Sequence, residues 1–265
     1  MKEQPMTDTM PLMRLMMRAK RTRFAPWLED DELPSYNREQ VPKQVWTYWD
    51  NGETNAPDIV KLCLEQWRIA NPDWKITVLE EESLPDYIDT GGIPDNVTQT
   101  RRSNIIRMRL LKSYGGVWAD ATTYCQIPLD NWLQMVSGTG FFAFFRETRY
   151  RGIATWFLAA QKDSYLLNRW HQVYEPHLQR YGERYKWAVQ NSFEYLLRFE
   201  PAFRREFSKM PKISAQPSLE IERWMRDADR WPRPVCRDIP IYKLSWKTEM
   251  PVKDVLGLLN AVSSE

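Results

Sequence analysis

From about residue 41 onward, apolar positions fall into short alternating runs separated by longer helical periods. Lys43 to Trp49 is β-branched and aromatic and stops at the turn signal Asp50, Asn51, Gly52, which predicts a first strand. Pro57 then opens a helix in which Ile59, Cys63, Trp67 and Ala70 recur at helical spacing until Asn71 and Pro72 end it. Trp74 to Leu79 alternates as a second strand. A helix between two strands is a crossover, so the pair is expected to be parallel.

The next helix is predicted from about Thr100 to Ser113, with Ile106, Leu110 and Tyr114 on one stripe and Gly115 and Gly116 placed to terminate it. Val117 to Thr122 follows as a buried strand carrying a carboxylate, Asp120, at its far end. Ligands in open α/β sheets collect at the carboxyl ends of strands, so Asp120 stands where chemistry is expected. Phe141 to Phe145 and Ala154 to Ala160 read as strands, although the second could equally start a helix. Leu166, Trp170, Val173, His177 and Tyr181 mark a long helix, bent or broken near Pro176. Pro201 to Pro240 reads as loops and short helices over the sheet. Ile239 to Lys247 reads as a last strand before a short terminal helix, and there is neither an internal repeat nor a low-complexity tract.

Length and charge narrow the class. The 265 residues suffice for one large α/β domain or two small ones, and one is preferred: residues 41–265, preceded by a basic arm and an acidic linker over residues 1–40. Lys and Arg number 37 against 35 Asp and Glu, which is too balanced for a nucleic-acid binder, so any cationic site must be local. The 13 Trp and 12 Tyr are either core filler or rings that stack on bases and sugars.

Cys63, Cys125 and Cys236 are odd in number and far apart, suggesting no disulfide framework and no zinc site, and fitting a reducing cytosol. The two histidines, His171 and His177, fall in one amphipathic helix, which argues against Ser-His-Asp or Cys-His catalysis. No apolar run approaches the roughly 20 residues that span a bilayer, and the start lacks the pattern of a signal peptide. A cytoplasmic protein is expected. Met10 to Arg23 mixes Leu and Met with Lys and Arg, either as a helix lying peripherally on the inner face of an anionic membrane or as an arm docked on the domain or disordered.

Three segments carry candidate chemistry. Trp49, at the exit of the first strand, can stack on a nucleobase or pack into the core. Asn104 and Arg107 are three apart and share a helix face, where the guanidinium can hold phosphate or sugar hydroxyls or simply be solvated. Asp120 needs a partner, and a divalent cation on a diphosphate is one. A carboxylate aimed at a ligand is expected to add little to the stability of the unliganded fold.

Pro42 to Trp49, Ser103 to Arg107 and Tyr114 to Thr122, in this order and spacing, resemble the bacterial capsular polysaccharide synthesis proteins. These belong with the DXD-containing sugar transferases that include the fungal initiating mannosyltransferases and, more distantly, the glucosylating clostridial toxins. Phe142 to Arg146, Thr155 to Phe157 and Tyr242 to Lys247 extend the resemblance over about Val41 to Lys247.

The resemblance implies a GT-A fold, with a mixed, mostly parallel central sheet flanked by helices and a C-terminal helical and loop portion. It also implies a nucleotide-sugar donor, a glycan or lipid-linked glycan acceptor of capsule or O-antigen type, and retention of configuration. Trp49 would stack on the base, and Asn104 and Arg107 would hold the donor sugar. Asp120 would touch ribose, sugar and a Mn or Mg ion, with Thr122 beside it. Ser245 and Trp246 would close over the diphosphate, and Arg107 with Lys243 or Lys247 would neutralise it.

This chain departs from its relatives at two positions. Thr122 stands where the wider motif has a second carboxylate, and a neutral hydroxyl is a poor ligand for either ion. Asn104 stands where relatives usually have Asp. Both departures also suit an alternative, a catalytically weak nucleotide-sugar-binding subunit acting with a partner transferase.

Overall fold

A five-stranded sheet is ordered β2 (Lys75–Leu79), β1 (Gln44–Tyr48), β3 (Gly116–Ala119), β6 (Arg151–Ala160) and β5 (Phe141–Thr148) in the computed structural model. The structure describes residues 40–93, 97–148, 151–181, 188–229 and 239–263, so the basic arm, the acidic linker and Cys236 lie outside the described residues. β1 pairs in parallel with β2 and with β3, as the crossover pattern requires, and β6 pairs antiparallel with both β3 and β5. Within this sheet β6 alone runs against the others, which makes it mixed and mostly parallel.

The first crossover is α1 (Asp58–Ala70), which buries Ile59, Val60, Cys63, Leu64 and Trp67. The second is α2 (Gln99–Tyr114), which buries Ile105, Ile106, Met108, Leu110 and Leu111 together with Asn104 and Arg107. Gly115 and Gly116 turn the chain from α2 into β3 at φ of 66° and 92°. A Cβ on Gly116 would lie 2.6 Å from the Gln44 carbonyl oxygen, so only glycine lets β3 lie this close to β1.

The buried strand expected over Val117 to Thr122 is divided. β3 ends at Ala119, the chain turns through Asp120 to Thr122, and β4 (Thr123–Cys125) leaves the main sheet. Thr123 accounts for the turn: its N–H and its hydroxyl both donate to the Asp120 carbonyl, at 2.8 and 2.7 Å. β4 pairs antiparallel with β7 (Ile241–Lys243), the short core of the strand expected from Ile239 to Lys247.

Ala154 to Ala160, open to either reading in sequence, is strand throughout. It lies between β3 and β5 with every residue buried, so its short apolar run answers to packing on both faces.

Beyond the sheet come the one-turn α3 (Leu133–Val136), α4 (Tyr165–Tyr181), α5 (Ala188–Phe199), α6 (Pro201–Lys209), α7 (Glu220–Arg226) and α8 (Val252–Ser263). α4 is not broken at Pro176. Pro176 and Gln172, whose carbonyl loses its donor there, both face solvent, where water can replace the missing bond.

The main core gathers Trp118, Trp132, Phe141, Phe142, Phe144, Phe157 and Trp170. A second cluster ties the β4–β7 ribbon to α1, α7 and α8 through Ile59, Cys63, Tyr242, Leu244, Ile221, Val255 and Leu259. Among the described residues no helix is long and apolar enough to cross a membrane.

Candidate active site

A cavity of about 750 Å³ opens where β1 and β3 end, and several separate parts of the chain wall it. The end of β1 and the turn after it deliver Tyr48, Trp49 and Asp50, and α2 delivers Gln99, Thr100, Ser103 and Arg107. The turn after β3 brings Asp120 and Thr122, and the segment running on from β7 supplies Lys243, Ser245, Trp246 and Lys247.

Arg107 is 3% exposed, far from the solvated helix face that its sequence position allowed. Its Nε donates to the Ser103 carbonyl at 3.0 Å, one Nη donates to the Thr155 carbonyl of β6, and the other donates to Asp120 Oδ1 at 3.1 Å. Its guanidinium also lies 4.9 Å from the centre of the Trp118 ring. Burial pulls the Arg107 pKa below its ordinary value while Asp120 opposes that, and the group stays cationic.

Asp120 Oδ1 accepts a second bond, from Trp118 Nε1 at 2.9 Å. Its Oδ2 faces Lys243 Nζ at 3.8 Å, and the same ammonium donates to the Thr122 hydroxyl. Asp120 is therefore structural as well as exposed to the cavity: it is the carboxylate that offsets a buried guanidinium. The expectation that it adds little to stability is corrected on that ground.

Trp49 lies at the cavity wall with its ring edge-on to Trp246, centroids 5.7 Å apart at 88°. Trp246 is 45% exposed and has Lys247 Nζ 5.1 Å from its ring centre, while Ser245 is buried and its Oγ accepts the Lys247 N–H.

Asn104 is placed differently. It is buried at 7% exposure but does not line the cavity, whose α2 wall is Gln99, Thr100, Ser103 and Arg107. The i, i+3 face inferred for Asn104 and Arg107 is thus replaced by one on which Ser103 takes the exposed place.

Asp50, Glu222 and Arg226 also line the cavity and were missed in sequence. Asp50 has a signal there, as the first residue after Trp49. Glu222 and Arg226 sit on α7, in a stretch without clear periodicity. Both histidines lie on α4, outside the cavity lining.

A divalent cation at Asp120 does not fit these residues. Such an ion takes six or more oxygen ligands, largely carboxylate, carbonyl or water. Here Asp120 already faces two cations, and the Thr122 hydroxyl is engaged by Lys243. Among the described residues no group of three or more His, Cys, Asp or Glu gathers to hold a metal.

Fold and site together define an α/β protein with a cleft at its strand ends, lined by Arg107, Asp120, Lys243, Trp49 and Trp246. The chain belongs to the capsular polysaccharide synthesis protein family, whose pattern it matches over residues 20–259. It is similar to the O-glycosyltransferase braB of Annulohypoxylon truncatum, 26% identical over 176 residues, covering 55% of this chain and 41% of that protein. It is also similar to a probable glycosyltransferase of Fusarium pseudograminearum, 26% identical over 167 residues, covering 55% of this chain and 42% of that one. The chain thus spans less than half the length of these two curated relatives. Among solved structures, the PaToxG glycosyltransferase overlaps at a TM-score of 0.42 and 14% identity, over 84% of this chain and 85% of that one.

Proposed function

We propose that this chain is a glycosyltransferase of GT-A type that takes a nucleoside-diphosphate sugar in the cavity beside Asp120 and moves the sugar to a hydroxyl oxygen. The observation that carries the reading is the Arg107, Asp120, Lys243 cluster at the strand ends, next to the Trp49 and Trp246 corner. Two cations flank one carboxylate and leave positive charge for a diphosphate, while an indole offers a face to a base. Family membership supports the reading, and the similarity to the O-glycosyltransferase braB supports transfer to oxygen.

In the reaction the bond between the anomeric carbon and the diphosphate oxygen breaks, with its electron pair going to the diphosphate. The acceptor oxygen bonds to the same carbon on the face just vacated, retaining configuration, and its proton passes to the departing diphosphate. The protein supplies no nucleophile. Arg107 stabilises charge growing on the leaving group, Asp120 holds Arg107 in place, and the cavity walls align the acceptor. The acceptor class that suits the family is a surface glycan or its lipid-linked precursor, met on the cytoplasmic face of the membrane.

A panel of UDP-, GDP- and ADP-sugars tests this, with release of nucleoside diphosphate as the readout. Release with at least one donor, lost in Asp120→Ala, is the expected result. Binding without turnover on any donor or acceptor would identify instead a nucleotide-sugar-binding subunit.

A further inference from the structure

We infer that Lys243 is the resident cation of the diphosphate site and does there what a divalent metal would otherwise do. The inference rests on the proposed donor site and goes beyond it, because it assigns the charge chemistry to a side chain held by the fold.

Lys243 is fixed at both ends. Its backbone is in register with Thr123 across the β4–β7 ribbon, and the next N–H, of Leu244, donates to the Thr122 carbonyl at 2.8 Å. Its ammonium donates to the Thr122 hydroxyl and lies 3.8 Å from Asp120 Oδ2, with the side chain only 16% exposed. An ammonium has three donors, so with one on Thr122 and one turned to Asp120 the third is left for the cavity that Lys243 lines.

The other carboxylate oxygen is saturated by Arg107 and Trp118. A divalent ion entering at Asp120 would meet two positive groups and a carboxylate already paired with both, whereas a diphosphate would meet a complementary field. Thr122 has a matching role. A hydroxyl accepts from the ammonium without neutralising it, where a second carboxylate would cancel its charge.

Titrations of UDP, GDP and ADP, followed by calorimetry and tryptophan fluorescence in EDTA and in excess Mn²⁺, test the inference. The wild-type protein is expected to bind at least one of them with affinities that agree within about threefold in the two conditions. Lys243→Met is expected to weaken that diphosphate about tenfold or more in EDTA, as loss of a charge-assisted bond does, while the parent nucleoside changes less than about twofold. Lys243→Arg, which keeps the charge, should retain most of the affinity. It also keeps the test decisive if the methionine variant fails to fold.

Binding that appears only with Mn²⁺, or a folded Lys243→Met that binds the diphosphate as the wild type does, overturns the role of Lys243 and leaves the donor site standing. Failure of all three diphosphates in both conditions overturns the donor site, and this inference with it.

Discussion

Arg107 and Lys243 hold the two oxygens of one carboxylate, Arg107 at 3.1 Å from Asp120 Oδ1 and Lys243 at 3.8 Å from Oδ2. The arginine is buried and comes from a helix, while the lysine is partly open to the cavity and comes from a strand. Asp120 therefore has two tasks, and a substitution there separates them.

Asp120→Ala should abolish transfer and also destabilise the fold by about 1–3 kcal/mol, because it leaves the Arg107 guanidinium buried with backbone carbonyls alone. Urea unfolding of both proteins gives the number. An unchanged midpoint with unchanged slope would show that Asp120 serves only the ligand.

Trp49 and Trp246 form an edge-to-face pair at the cavity, so either loss disturbs the other ring. Trp49→Leu is expected to remove most of the fluorescence quench on nucleotide binding and to weaken binding by about 1–3 kcal/mol, the scale of base stacking. Trp246→Leu should have the smaller effect on affinity. Equal affinity in wild type and a folded Trp49→Leu would move the base elsewhere.

Ser103 and Asn104 are neighbours with opposite expectations. Ser103 lines the cavity, so Ser103→Leu should obstruct it and weaken nucleotide binding about tenfold. Asn104 is buried away from the lining, so Asn104→Ala should change affinity less than about twofold and show itself mainly in stability. The reverse ranking in a binding titration would restore Asn104 to the donor.

His171 gives the protein a pH dependence outside the site. Burial pushes its pKa down to about 4, with Lys112 and Arg109 adding to the shift and Glu175 opposing it. The unfolded chain takes up the proton near the ordinary value of 6.5, so below that pH it binds more protons than the native state. Stability from this group is present above 6.5 and is lost as pH falls toward 4. Between about pH 7 and about pH 5 the loss should be about 2 kcal/mol, and His171→Gln should flatten that slope. Urea unfolding across this range checks it, and parallel curves for the two proteins would refute it.

Asp120 and Trp49 were legible in sequence because each follows directly on a strand, and a strand's end is local information. The parallel crossovers were legible for the same reason, since helical and alternating periods are both read within a dozen residues. Arg107 could be nominated, but its burial could not. That depends on the Thr155 carbonyl of β6 and on Asp120, both brought in by pairings remote in sequence. Lys243 was one of two lysines named, and what distinguishes it is its register opposite Thr123, a contact across 120 residues. Glu222 and Arg226 had no local signal, because α7 is short and is placed by the cluster beneath it. Of the two readings at Pro176, a bend or a break, the break is excluded, because the rule for proline breaking a helix weakens where the freed carbonyl faces water.

The β4–β7 ribbon has a consequence for how the protein comes to function as it is made. Every strand of the main sheet lies before residue 161, yet Lys243, Ser245 and Trp246 lie beyond 240. A nascent chain can therefore complete its sheet and bury Arg107 against Asp120 while one wall of the cleft is still inside the ribosome. Loop closure across more than a hundred residues then adds β7 to β4, and α8 packs beneath it. On the proposed function the donor cleft is complete only once β7 has joined β4, so a chain stalled before β7 lacks one of its walls.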